Sequence, residues 1–133
     1  MRNIITVQRA VLVALLLGML VGAIAACGSN SRSPVIEVPG GDPELGATLV
    51  RQWGCGSCHT IPGMRNANGL VGPPLGEFGS RAYIAGNMAN NPDNLVRWIM
   101  DPQAIEPGTA MPDMNVTEEI ARHMAAYLYT LRR

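Results

Sequence analysis

This sequence of 133 residues lacks lysine altogether and has little of several other residue types. All ten basic residues are arginine, ten acidic residues balance them, and only one phenylalanine, two histidines and three cysteines are present. Without a basic excess, the chain is not expected to bind nucleic acid. The absence of lysine also excludes a lysine-rich face for docking to an acidic partner.

The stretch with the clearest chemistry is Cys55-Gly56-Ser57-Cys58-His59. Two thiols three positions apart in a helical turn lie on one side of the chain, where both can add to the vinyl groups of one porphyrin. His59 then lies under the iron, and its second ring nitrogen is available to donate a hydrogen bond. The spacing predicts a covalently attached c-type haem with His59 as the proximal ligand.

Two other chemistries use the same residue types. A thioredoxin-like dithiol needs a βαβ pattern, and no strand pattern precedes Trp53. A structural zinc site needs four Cys or His ligands, and outside the cluster only His123 remains, since Cys27 has another role in the N-terminal segment. Haem therefore remains the favoured interpretation.

The N-terminus predicts export and attachment to a membrane. Arg2 and Arg9 give a positively charged start, and an uncharged apolar run at 10–26 follows, which is the layout of a signal peptide. Ile24-Ala25-Ala26-Cys27 resembles the lipobox of bacterial lipoproteins, which places a lipid on Cys27 after cleavage. An uncleaved transmembrane anchor is the alternative, because 17 apolar residues just reach the length that spans a bilayer.

These features divide the chain into three parts. Residues 1–26 are the predicted signal peptide, residues 27–41 are a Ser/Gly/Pro-rich linker, and residues 42–133 form one domain. With Cys27 assigned to lipid and the other two cysteines to haem, no thiol remains for a disulfide. We expect the haem to supply much of the apolar core, and the apoprotein to fold poorly.

The domain is predicted to be all-α. Asp42-Pro43 begins a first helix with an apolar face from Leu45 to Trp53, and Asn90 or Asn91 caps a second that ends before Asp101-Pro102. Thr117 caps the last helix, whose apolar stripe is Ile120, Met124, Leu128 and Leu131. The segments at 60–90 and 103–116 are predicted loops, and the first is rich in Gly and Pro.

The order of these parts resembles class I cytochrome c over residues 42–133. The likeness is strongest to the small cytochrome domains fused to subunit II of some haem-copper oxidases, on the motifs LVGPPL (70–75), FGSRAYIAG (78–86), NLVRWI (94–99), PGTAMPDM (107–114) and ARHMAAYLYTLR (121–132). The resemblance implies three main helices and long loops around one covalent haem. The copper-binding part of subunit II is not in the sequence, so we expect a carrier domain and no oxidase.

The resemblance also implies roles for individual residues. The carbonyl of Pro73 is expected to accept the ring N–H of His59, with Gly72 and Leu75 beside it. Arg81 is expected near a haem propionate, which suits the guanidinium fork. A turn proline and a surface arginine are the plainer alternatives for these two positions.

The sixth iron ligand is predicted to be Met111, in a loop that matches the axial-Met loop of the family and is stiffened by flanking prolines. Met114 on the same loop is the nearest rival, and Met64 and Met88 are further loop candidates. Met100 and Met124 are expected to fill core space. His123, inside the last helix, is expected to be an ordinary, partly exposed residue.

The leading functional hypothesis is one-electron transfer between respiratory or photosynthetic membrane complexes, by a bacterial lipoprotein facing the periplasm or the cell exterior. A bound subunit of a larger assembly is a variant of this hypothesis. The competing class is a haem enzyme or a sensor of gas or peroxide, which requires an open or labile sixth position. A copper-delivery lipoprotein that uses the methionines does not explain His59.

Overall fold

The computed structural model describes residues 35–132, and the predicted signal peptide and Cys27 lie outside these residues. Within them, the four α-helices and one two-stranded hairpin surround a core of mainly aliphatic side chains. No helix in this part of the chain is long and apolar enough to cross a bilayer.

Helix α1 spans Pro43–Gln52 and begins where the sequence predicts. A carboxylate oxygen of Asp42 accepts hydrogen bonds from the backbone N–H groups of Glu44 (2.8 Å) and Leu45 (3.1 Å), which have no partner within the helix. Leu49 and Val50 are buried, whereas Leu45 is 42% exposed. The buried face of α1 is therefore narrower than the sequence pattern indicates.

The packed part of the domain begins before residue 42. Val38 is 3% exposed, and the N–H of Gly41 bonds to its carbonyl at 2.9 Å. A guanidinium nitrogen of Arg122 donates to the carbonyl of Pro39 at 3.3 Å. The last residues of the predicted linker thus lie against the terminal helix.

The segment between α1 and the second helix is largely irregular, as predicted, but it contains short ordered pieces. Cys55–Ser57 and Phe78–Ser80 form 3₁₀ turns. Strands β1 (Tyr83–Ile84) and β2 (Met88–Ala89) pair antiparallel, with Tyr83 opposite Ala89 and Ile84 opposite Met88. Two-residue strands leave no usable alternation in a sequence, which explains why this hairpin was not predicted.

Helix α2 spans Pro92–Met100 and is capped by Asn91, whose side-chain oxygen accepts from the N–H of Asn94 at 3.0 Å. The segment after it was predicted to be loop from Gln103 onward, and this is wrong for its first part. Asp101 caps a four-residue helix α3, Pro102–Ile105, by accepting from the N–H of Ala104 at 2.9 Å. One helical turn is too short to show a hydrophobic period.

Helix α4 spans Glu118–Thr130, and Thr117 caps it through the N–H of Ile120. Its buried side chains are Ala121, Met124, Ala125, Ala126, Leu128 and Tyr129, so two of the four predicted stripe residues lie in the core. Small residues in this face let α1 approach closely. A Cβ built on Gly46 would lie 1.9 Å from the carbonyl oxygen of His123, so no larger residue fits at this crossing.

Candidate haem-binding site

The end of α1 turns directly into the cysteine motif. The N–H of His59 bonds to the carbonyl of Cys55 at 2.9 Å, and the N–H of Cys58 bonds to the same carbonyl at 3.3 Å. This turn keeps the two thiols on one side of the chain and brings the imidazole one turn after Cys55, as the motif requires. Cys55 and Cys58 are both half-buried, and they form no disulfide with each other.

A cavity of about 530 Å³ opens beside this turn. Both cysteines and His59 line it, and its other lining residues are mostly apolar. Burial raises the pKa of the Cys55 thiol, although a hydrogen bond to its own backbone lowers it, and Cys58 raises it further. The cavity is therefore a mostly apolar space, whose wall also carries two cysteine sulfurs, one imidazole and the charged residues Arg81 and Glu106.

The imidazole of His59 is held by a backbone oxygen. Its Nδ1 lies 2.7 Å from the carbonyl oxygen of Pro73. Because a carbonyl only accepts, Nδ1 must carry the proton in this contact, and Nε2 is then the nitrogen with a free lone pair. This is the tautomer that a metal ligand needs.

Several hydrogen bonds bring Pro73 to this place. The N–H of Gly72 bonds to the carbonyl of Cys58 at 2.8 Å, and the N–H of Leu75 bonds to the carbonyl of Thr60 at 2.8 Å. A Cβ on Gly72 would lie 2.2 Å from Cε1 of the His59 ring. The ring and the 69–75 loop are in contact at a distance that only glycine permits.

Arg81, which follows the Phe78–Ser80 turn, lines the same cavity. One of its terminal guanidinium nitrogens donates to the carbonyls of Pro74 and Gly76, the latter at 3.2 Å. Its guanidinium carbon lies 5.4 Å from the centre of the Phe78 ring. These contacts fix a cation at the cavity wall.

Of the six methionines among the described residues, Met111, Met114 and Met124 line the cavity. Met64 is 8% exposed and lies in a separate groove beside Arg51 and Arg65. Met88 and Met100 pack partly buried against the core and are not part of the cavity lining. Met111, Met114 and Met124 therefore line the cavity, whereas the loop candidates Met64 and Met88 do not.

The three lining methionines differ in their surroundings. Met124 is 3% exposed within α4. Met111 and Met114 are half-buried on the loop before α4, and the carbonyl of Met114 accepts from the Trp53 indole N–H at 3.2 Å. The Trp53 bond ties the backbone at Met114 to the end of α1, three residues after Met111.

His123 does not line the cavity. Its Nδ1 accepts the backbone N–H of Asp42 at 2.9 Å, so this imidazole satisfies a backbone donor at the start of α1. His123 therefore lies where α4 contacts the start of α1, and not at the cavity.

The sequence assigns no role at the site to Trp53, which lines the cavity, or to Gln103, which contacts the loop that carries Met111. The sequence pattern predicts Trp53 only as an apolar helix residue, and it predicts Gln103 only as part of a loop. The Gln103 side chain bonds to the carbonyls of Thr109 and Met111 and to the N–H of Gly108. A single glutamine in a sequence carries no signal for such contacts.

The residues at the site fit a covalently bound haem. The cavity volume lies in the range of protein sites for large cofactors. The two thiols stand next to an imidazole held in the ligating tautomer, and the close approach of Gly72 leaves the His59 ring one position. Thioether sulfur is available from the loop that carries Met111.

Comparisons with known proteins agree with this chemistry. The family model described as Cytochrome c matches residues 43–132. A cytochrome c oxidase subunit 2 from Alkalihalophilus pseudofirmus is 36% identical over 88 residues, which is 65% of this chain and 25% of that protein. The subunit 2 from Bacillus sp. strain PS3 is 31% identical over 107 residues, 77% of this chain and 29% of that protein.

The chain therefore spans about a quarter of the length of these relatives. Among solved structures, cytochrome c2 from Rhodobacter sphaeroides superposes with a TM-score of 0.53 at 22% identity, covering 69% of this chain and 97% of that one. At this identity the match shows a shared fold.

Proposed function

This chain belongs to the cytochrome c family and carries a covalent c-type haem, and we propose that it is a membrane-tethered one-electron carrier whose iron is ligated by His59 and Met111. One observation carries the proposal: a single cavity is lined by both cysteines, by His59 and by Met111. The family match supports haem-based electron transfer, and the ligand pair, the tether and the partners belong to the proposal.

The haem supplies a one-electron iron couple, and the protein residues fix its surroundings. The Pro73 carbonyl accepts the Nδ1 proton of His59, which orients the ring and raises its basicity. Gly72 leaves room for that orientation. Cys55 and Cys58 provide the two thioether attachments.

Met111 is proposed as the sixth ligand in preference to Met114. Pro112 follows it directly, Pro107 lies four residues before it, and Gln103 holds its carbonyl at 2.9 Å. His/Met ligation raises the reduction potential relative to ligation by nitrogen alone. With His59 and Met111 both bound to the iron and a mostly apolar wall around it, the haem would transfer electrons rather than react with small molecules.

Arg81 is proposed to face a haem propionate. Its guanidinium lines the cavity, and the hydrogen bonds to Pro74 and Gly76 come from one of its three nitrogens. A planar guanidinium can hold a carboxylate with the others.

The ferric absorption spectrum tests the ligand pair. We expect a thioether-to-iron band near the red edge, lost in Met111→Ala and kept in Met114→Ala. If the band instead survives in Met111→Ala and disappears in Met114→Ala, the ligand assignment is wrong. Rapid CO binding by the native ferrous protein would contradict the carrier function and support the alternative of a haem enzyme or sensor.

The tether is proposed from the N-terminal sequence. The apolar run at 10–26 and the Ile24-Ala25-Ala26-Cys27 sequence support cleavage before Cys27 and attachment of lipid to its sulfur. Several acyl chains would hold the protein at the membrane, whereas one would bind marginally. Mass spectrometry of the mature N-terminus separates a lipidated Cys27 from an uncleaved apolar helix.

The proposed partners are redox proteins of a respiratory or photosynthetic membrane chain, and a nucleic-acid partner is not expected. The protein is proposed to face the periplasm or the cell exterior. The similarity to cytochrome c oxidase subunit 2 supports a place near a terminal oxidase. Because the chain has no lysine, docking is expected to depend only weakly on salt. A steep fall in the electron-transfer rate with ionic strength would contradict this expectation.

A further inference from the structure

The segment that carries Met111 has little backbone structure of its own. Within residues 107–116 of the described chain, one hydrogen bond between backbone groups is present, from the N–H of Thr109 to the carbonyl of Glu106 at 3.1 Å. Pro107 and Pro112 have no N–H to donate. Other groups must therefore determine where Met111 lies.

The Gln103 side chain makes three hydrogen bonds to this segment. Its Nε2 donates to the carbonyl of Thr109 at 2.8 Å and to the carbonyl of Met111 at 2.9 Å. Its Oε1 accepts the N–H of Gly108 at 3.1 Å, where the backbone turns through a left-handed conformation with φ of 85°. Both N–H groups of the Gln103 amide therefore donate to the loop, and its oxygen accepts from the loop.

The base of Gln103 is itself well fixed. Helix α3 is capped by the Asp101 carboxylate through the N–H of Ala104 at 2.9 Å. Pro102, the residue before Gln103, is less than 2% exposed. The glutamine therefore connects a buried anchor in the core to the loop that bears Met111.

We propose that Gln103 is a positioning residue, which holds the 108–111 backbone so that the Met111 sulfur stays directed at the iron. The proposal rests on Met111 being the sixth ligand. In this proposal, the exposed Gln103 side chain controls how often the bond between the Met111 sulfur and the iron opens. It thereby controls how easily external ligands reach the iron.

The test uses the full haem-loaded protein and the rate at which imidazole binds the ferric iron, because imidazole must wait for the axial bond to open. Gln103→Glu keeps the length and the acceptor but replaces both donors by a carboxylate that faces two carbonyls. Gln103→Leu removes the hydrogen bonds without adding charge. Gln103→Glu loses the two donated hydrogen bonds and Gln103→Leu loses all three. Because each exposed hydrogen bond contributes little net free energy, both variants are expected to bind imidazole about tenfold faster.

Gln52→Glu is the matched control, since it makes the same change at an exposed glutamine on α1. It is expected to leave the imidazole rate unchanged. The denaturant midpoint of each variant is measured as well, because a local opening raises the imidazole rate out of proportion to any loss of global stability. Two variants of an exposed residue keep the test valid if one folds poorly.

The outcomes separate the two proposals. If the red-edge band disappears in Met111→Ala but both Gln103 variants bind imidazole at the wild-type rate, the role of Gln103 is refuted while Met111 ligation stands. If the native protein lacks the band, or keeps it in Met111→Ala, Met111 ligation fails and the role of Gln103 fails with it. Faster binding in both Gln103 variants, with Gln52→Glu unchanged, supports the proposal.

Discussion

At the scale of single residues, the site depends on backbone groups that approach side chains very closely. The His59 ring has the Pro73 carbonyl on one side, at 2.7 Å from Nδ1, and the backbone of Gly72 against its edge. Any residue at position 73 still has a backbone carbonyl that can accept the hydrogen bond. Any residue other than glycine at position 72 would place a Cβ against the His59 ring. The two neighbours of His59 therefore differ in how much they tolerate.

Gly72→Ala tests this difference. The new Cβ would lie 2.2 Å from the ring, so the ring or the loop must move, at a cost of about 1–3 kcal/mol in unfolding free energy. We expect weaker axial ligation by His59, visible as a shifted reduction potential. Pro73→Ala keeps the carbonyl and is expected to change the potential less. Equal effects of the two substitutions would show that the close contact is unimportant.

At the scale of secondary-structure elements, the crossing of α1 and α4 and a partly buried polar cluster hold the fold together. The Tyr129 hydroxyl, in a residue with 0% exposure, donates to Oδ1 of Asn90 at 2.7 Å. Asn90 in turn donates to the carbonyls of Phe78 and Arg81 at 3.1 and 3.0 Å. The cluster thereby connects α4 to the turn that positions Arg81 at the cavity.

At the helix crossing, Gly46→Ala is expected to destabilise the protein. A glycine-to-alanine change inside a helix ordinarily stabilises it by about 0.5–1 kcal/mol. Here the added methyl group would lie 1.9 Å from the carbonyl oxygen of His123, so the helices must separate and the sign reverses. Thr48→Ala, at an exposed position of the same helix, is the control for helix propensity. Denaturant unfolding measures both variants, and a more stable Gly46→Ala protein would contradict the close crossing.

In the polar cluster, Tyr129→Phe is expected to lower the unfolding free energy by about 1–3 kcal/mol, because Asn90 Oδ1 loses its donor. Burial raises the pKa of Tyr129 to about 12. Since the folded state favours the protonated phenol, its contribution to stability is complete below pH 10 and is lost as the pH rises from 10 through 12. The loss of stability over this window should be smaller in Tyr129→Phe than in the native protein, and it should be unchanged in the exposed control Tyr83→Phe.

At the scale of the whole molecule, a cavity of about 530 Å³ lies inside a domain of modest size. The buried side chains Leu95, Ile99, Met124 and Leu128 line it, so the core of the helices and the wall of the site are the same residues. A filled cavity removes this apolar surface from water, and an empty one leaves it hydrated. Cofactor binding and folding should therefore be coupled.

Removal of the haem is expected to leave the domain poorly folded. The double variant Cys55→Ser/Cys58→Ser cannot form thioethers, and its near-ultraviolet circular dichroism should lose the signals of fixed aromatic packing. The control is Ser57→Ala in the same motif, which leaves both thiols in place. A double variant with native-like spectra and a cooperative unfolding transition would contradict the coupling.

The sequence by itself determined the haem chemistry and three of the helices, because both are encoded locally. The Cys55 to His59 motif is contiguous, and Asp42, Asn91 and Thr117 cap helices within three residues of themselves. The all-α class I cytochrome c fold, predicted from the order of these parts, is confirmed by the family match and by the fold of cytochrome c2. Helix α3 and the hairpin were missed because they are too short for periodicity.

Only the tertiary structure decided which distant residues meet. Hydrogen bonding of the Gln103 amide to the Met111 loop, the contact of Gly46 with His123, and the separation of Met64 from the cavity depend on how the chain returns on itself. Such contacts join residues that are far apart in sequence or lie in irregular segments, so they leave no repeating pattern along the chain. The sequence supplies the ligands, and packing determines which methionines reach the cavity.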